Sequence, residues 1–162
     1  MVQKVWRALV LVALGASGGV LAADLKTAVE VSGAWIPEPP AVSRNAAAYL
    51  TVLGGVQDDV LLSAATPAAE VVEVHETSLA GGVLRMKPVA TLAVPARQRI
   101  EFAPGGLHLM LVNLRQALRY GAMVPLELEF RKAGKVRVEA EVRSLPPSPA
   151  AVGGEAHHHH HH

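Results

Sequence analysis

The sequence predicts an all-β fold, a Greek-key sandwich or barrel. Three observations predict it. Short runs that alternate apolar and polar residues, or are rich in β-branched residues, recur at near-regular spacing, roughly seven to nine of them. No segment carries a sustained apolar stripe of helical period. Turn signals separate the runs: Gly54-Gly55, Gly81-Gly82, Pro104-Gly105-Gly106 and Ala133-Gly134.

Leu25 to Val31 alternates and runs into Trp35-Ile36, and Pro37, Pro39 and Pro40 then impose an extended loop. Asn45 to Leu53 is an Ala-rich apolar run that Gly54-Gly55 ends. Val60 to Ala64 and Val71 to Glu76 are strand candidates, the second rich in Val. Val83 to Pro88 returns antiparallel after Gly81-Gly82 as a hairpin. Gln98 to Phe102 and Leu107 to Leu111 flank the Pro104 turn. Asn113 to Val124 reads as a loop with single-turn helix character. Leu126 to Phe130 and Lys135 to Val142 alternate cleanly around Ala133-Gly134 and form the best hairpin in the chain.

The ends read differently. Lys4 and Arg7 form a positive start, Ala8 to Leu14 is apolar, and Val20-Leu21-Ala22 ends in small residues. Residues 1–22 are therefore expected to be a cleaved export signal, not a membrane span, since the apolar run falls well short of about 20 residues. With no cysteine beside the cleavage point, a lipid anchor is not expected. Residues 145–156 are a Pro/Gly/Ala tail, expected to be disordered. His157 to His162 reads as a purification tag. Residues 23–144 are left as one domain. Its charges nearly balance, which offers no stripe for nucleic acid. It is expected to be a periplasmic monomer.

Cysteine is absent, so thiolate zinc sites, iron–sulfur clusters, blue-copper centres and thiol nucleophiles are excluded. Of eight His, six lie in the terminal run, leaving His75 and His108; beyond Met1 the methionines are Met86, Met110 and Met123. In a strand, residues two apart share a face. Leu107, Leu109 and Leu111 therefore point to the core, while His108 and Met110 point together the other way. If the segments bearing His75 and Met86 converge there, the site offers two imidazoles and two thioethers. Thioether sulfur is soft and neutral, and a His2Met2 set suits Cu(I), whereas Zn(II), Ca(II) and Mg(II) favour thiolate or oxygen. Each residue alone has a plainer reading: His-X-Met on a strand is more often filler, Met86 a gap-filling hydrophobe, His75 a strand cap. Met123 is expected to pack over a loop, outside the site. Joint occurrence is what favours a metal: four of the five native His and Met fall in one pattern.

That pattern, His75, ten residues, Met86, 21 residues, His108-Leu109-Met110, resembles the signature of the periplasmic copper chaperone family PCuAC. Gly81 to Val89, Pro104 to Leu111 and Val124 to Phe130 with Ala133-Gly134 resemble its flanking segments, as do Trp35 and the Asn45–Leu50 stretch. The resemblance implies a cupredoxin-like β-sandwich. It implies Cu(I) held near the surface by His75, Met86, His108 and Met110. It also implies delivery to the copper-bearing subunit of cytochrome c oxidase, directly or with a Sco-type partner. Leu79 and Leu84 stand where many relatives carry further methionines, and the tail lacks the His and Met with which some relatives bind Cu(II). A chaperone does no covalent chemistry, so no enzyme activity is expected; two His already in the site leave no Ser–His–Asp constellation. Copper storage or resistance shares the same site. A metal-free exported interaction module would place His75 and His108 far apart.

Overall fold

The structure, a computed structural model, describes residues 28–144. The expectations for the export signal, the tail and the tag lie outside these residues. Ten strands run in chain order: β1 (Glu30–Pro37), β2 (Asn45–Leu53), β3 (Asp59–Ala65), β4 (Ala69–Ala80), β5 (Val83–Pro88), β6 (Leu92–Val94), β7 (Arg99–Phe102), β8 (Leu107–Leu114), β9 (Met123–Phe130) and β10 (Gly134–Arg143). The all-β expectation holds.

The strands pair in the order β4, β8, β2, β1, β10, β9, β3, and β3 returns to β4 through Ala64 and Val72, which closes a barrel. β1 and β10 pair in parallel, with Trp35 opposite Glu141. Placing the first and last strands side by side in parallel requires chain crossings, so the connectivity is Greek-key and not a simple meander. Closure leaves few unpaired edges. β5 and β6 lie outside the ring, on β4 and β3 respectively.

Alternation builds the interior. β2 turns Ala46, Ala48, Leu50 and Val52 inward, and β9 does the same with Val124, Leu126, Leu128 and Phe130. β8 contributes Leu109 and Leu111, both fully buried. In β1 the alternation changes phase. Gly33 has φ of +62°, and the β1–β2 register shifts between Ser32 and Trp35. This bulge brings Ala34 and Ile36 into the core, and only glycine takes that backbone angle without strain.

Three local expectations need correction. β4 and β8 run further than the sequence suggests, because β5 and β2 keep supplying partners past Glu76 and Leu111. β6 is an added three-residue strand between Pro88 and Pro95, formed against β3. Residues 115–122 hold no helix; backbone bonds from Gly121 N–H to the Val142 carbonyl and from Val142 N–H to the Ala122 carbonyl tie this loop to β10.

Asp59 opens β3 and is buried. Its carboxylate accepts the N–H groups of Val60, Lys132 and Ala133 at 2.7, 2.9 and 2.8 Å, which fastens the β9–β10 turn to β3. Burial alone pushes this carboxyl up, but the three amides and the Lys132 charge outweigh it and hold it below the ordinary range. Asp59→Ala should therefore cost about 1–3 kcal/mol at neutral pH. A carboxyl lowered in the folded state stabilises fully above its unfolded value and stops doing so as pH falls through its folded value. The gap between wild type and variant, read from denaturant midpoints, should accordingly shrink on acidification below the carboxylate range; a gap that widens would contradict this account.

Candidate metal centre

The site is built on β4, β8 and β5. In β4, Val72 and Val74 turn toward the core while Glu73, His75 and Thr77 face outward. In β8, Leu109 and Leu111 turn inward while His108 and Met110 face outward. The two strands are antiparallel, with His75 opposite His108 and Glu73 opposite Met110. Directly opposed residues share a face of the sheet. The Gly81-Gly82 turn, with both residues at positive φ as a type I′ hairpin turn requires, reverses the chain into β5 and sets Met86 opposite Thr77. Thr77 is two residues from His75, so Met86 falls on the same face. Register alone thus brings His75, Met86, His108 and Met110 to one outward face of three adjacent strands.

The two imidazole rings lie edge to face, with centroids 5.7 Å apart and planes at 71°. Two rings on one ion, each bonded at about 2.0 Å, span a comparable distance. A shallow hollow of about 200 Å³ is lined by Thr77, Met86, Gly105, His108 and Met110 and by residues of β2 from Asn45 to Tyr49; His75 does not line it. Ala47 is opposite Met110, so a small side chain leaves room for the thioether. Tyr49 stacks obliquely on Trp35 at 4.9 Å and extends the face; burial pushes its hydroxyl pKa up. Exposure is graded: His108 is 4% exposed, Met110 is half-buried and Met86 is 53% exposed.

Hydrogen bonds fix which nitrogens remain available. A carbonyl only accepts, so the 3.1 Å contact of His108 Nδ1 with the Gly106 carbonyl places the proton on Nδ1 and the lone pair on Nε2. His75 Nε2 lies 2.8 Å from the Glu73 carboxylate and donates to it. His75 Nδ1 is buried without any partner among the described residues. An orphaned buried lone pair is costly, and a metal bond would satisfy it. The donor set therefore fits a soft cation. Among the described residues no group of three or more His, Asp and Glu forms a harder site.

Met123 begins β9 and is 56% exposed, away from the hollow, and so does not pack over a loop as expected. Sequence reasoning missed Glu73, although the two-residue rule that pairs His108 with Met110 pairs Glu73 with His75 equally well. It also missed Tyr49 and the Gly106 carbonyl, since a backbone acceptor leaves no mark in residue identity.

A family model described as "Putative lipoprotein LpqE-like" matches residues 29–142. The chain belongs to the LpqE-like family. A curated relative with the printed description "Putative lipoprotein Lxx21020", from Leifsonia xyli subsp. xyli, is 30% identical over 117 residues, which is 71% of this LpqE-like chain and 69% of that protein. Among solved structures, Cu(I)-bound DR1885 from Deinococcus radiodurans is 31% identical with a TM-score of 0.58, over 78% of this chain and 83% of that one. Apo-DR1885 is 30% identical with a TM-score of 0.56, over 90% and 95%. The copper-bound PCuAC domain from PmoF2 is 23% identical with a TM-score of 0.62, over 72% and 93%, and shows the shared fold. The expected PCuAC-type, cupredoxin-like architecture is thus present in an LpqE-like chain. These 162 residues include no cysteine to which a lipid could be joined.

Burial separates the roles of these residues in stability. Met86→Ala should leave the metal-free protein within about 0.5 kcal/mol of wild type, as surface changes do. His108→Ala removes a buried ring and one of the two hydrogen bonds to the Gly106 carbonyl, which still accepts the Thr77 N–H, and should cost about 1–3 kcal/mol. Urea melts of both variants check this; equal losses would contradict the exposure gradient.

Proposed function

We propose that this protein is an exported Cu(I) chaperone that binds copper through His75, Met86, His108 and Met110. We propose further that it hands the metal to the copper-bearing subunit of cytochrome c oxidase, directly or through a Sco-type partner. The observation that supports this most is the gathering of two imidazoles and two thioethers on one sheet face, one imidazole having a buried nitrogen without a partner among the described residues. The chemistry of that set selects a soft monovalent ion. The copper-bound state of DR1885, at 31% identity, supports the same cargo. The lipoprotein descriptions of the family and its relative, and the signal-like start of the chain, support export to the periplasm.

The exposure gradient suits transfer. The incoming ligand of an acceptor reaches the ion from the side where Met86 is open to solvent. Met86 leaves first, and the two imidazoles, held from behind by the core, leave last. No bond other than metal–ligand bonds is made or broken, so the protein needs no nucleophile and no redox partner.

The tag must be removed before any copper measurement, because six consecutive His bind metals on their own. Cu(I) titration against a competing chelator should then show one tight site. Met86→Ala and Met110→Ala should each weaken it at least about tenfold, or about 1.4 kcal/mol. Affinities equal to wild type would refute the site. In the cell, deletion should lower cytochrome c oxidase activity at limiting copper; intact oxidase with heightened copper sensitivity would instead favour storage.

A further inference from the structure

Glu73 lies two residues before His75 on β4 and directly opposite Met110 on β8. Its side chain is about half exposed, while the His75 side chain is only 14% exposed. Oε2 accepts the His75 Nε2–H at 2.8 Å. A neutral imidazole carries one proton on two nitrogens, and whichever nitrogen gives a hydrogen bond to an anion keeps that proton. The lone pair of His75 is then on Nδ1, the atom that is buried and unpartnered among the described residues. On His108 the arrangement is reversed: the Gly106 carbonyl holds the proton on Nδ1 and leaves Nε2 free. Glu76, the next carboxylate along β4, turns to the other face and pairs with Lys87 at 2.9 Å, so it does not compete for the ring.

We infer that Glu73 is a positioning residue of the copper site, fixing His75 as its Nε2–H tautomer and making Nδ1 the metal donor, so that the two imidazoles bind through different nitrogens. This rests on the Cu(I) reading above.

The test uses the tag-free chain and two readouts. The first is 15N NMR of the histidine side chains at a pH where they are neutral. The metal-free protein should show His75 protonated on Nε2 and His108 on Nδ1, and one equivalent of Cu(I), which is diamagnetic, should shift Nδ1 of His75 and Nε2 of His108. The second is Cu(I) competition with a chelator. Glu73→Ala should mix the His75 tautomers and weaken Cu(I) by about 10- to 100-fold. Glu73→Gln, whose amide oxygen still accepts the hydrogen bond, should keep the tautomer and recover most of the affinity. The inference is overturned if Glu73→Ala leaves tautomer and affinity unchanged, or if Cu(I) shifts Nε2 of His75 instead of Nδ1. The wild-type tautomer reading needs no variant to fold. Met110→Ala separates the two levels: unchanged affinity there removes the copper site itself and the metal role of Glu73 with it, whereas weakened affinity with a silent Glu73→Ala removes only the positioning role.

Discussion

The site depends on one constraint, the register between β4 and β8. His75 stands opposite His108, and Glu73 opposite Met110, because Val74 and Leu109 are likewise opposed on the inner face. Those inner residues are buried, so a one-residue slip would turn an imidazole and a thioether into the core and two hydrophobes out to water. The energy of the core thus specifies the geometry of the donors, without any bond among the donors themselves. This is how four groups with little mutual attraction are held in one arrangement.

The fold adds to this in layers. Closure of the barrel through β3 and β4 keeps the strands of the candidate site from fraying, and β2 lies against β8 with Ala47 opposite Met110, which leaves the thioether room. β5 is added outside the ring and carries Met86 on a strand whose other residues are exposed as well. Arg85, Lys87 and Pro88 on that strand discourage pairing with a foreign edge. Three of the proposed donors therefore come from the packed wall and one from a marginal hairpin, so they differ in how freely they move. Hydrogen bonding completes the set by assigning protons: a backbone carbonyl for His108, a side-chain carboxylate for His75.

Much of this is legible in the residues. Asn45 to Leu53 and Val83 to Pro88 are bounded by glycine pairs or proline, and their strands have those limits. The pairing of His108 with Met110 follows from a period of two. That His75 faces them does not, because cross-strand register is a tertiary property and the sequence offers only the separation along the chain. β6 was invisible for a related reason: Leu92 to Val94 is too short to show a pattern and exists because β3 has an open edge there. Glu73 was legible in principle, since E-V-H places carboxylate and imidazole on one face of any strand. The hydrogen bond itself is what shows that the pair is made.

A carrier must reconcile holding with letting go, and the arrangement of these donors does so in space. Neutral ligands bind a monovalent ion without the strong Coulomb attraction that a thiolate would supply, so no single bond dominates. The imidazoles are enclosed and preorganised, which keeps the entropic cost of binding low on that side. The thioether of Met86 stands in solvent on an edge strand, where replacing it by a foreign ligand displaces no core packing. A site with all four donors enclosed would gain affinity and lose its exit; one with all four exposed would lose preorganisation. Within the proposed function, the partition between a rigid inner pair and a yielding outer thioether is the feature that makes transfer and retention compatible, and it follows from which strands lie inside the barrel wall and which one was added to its rim.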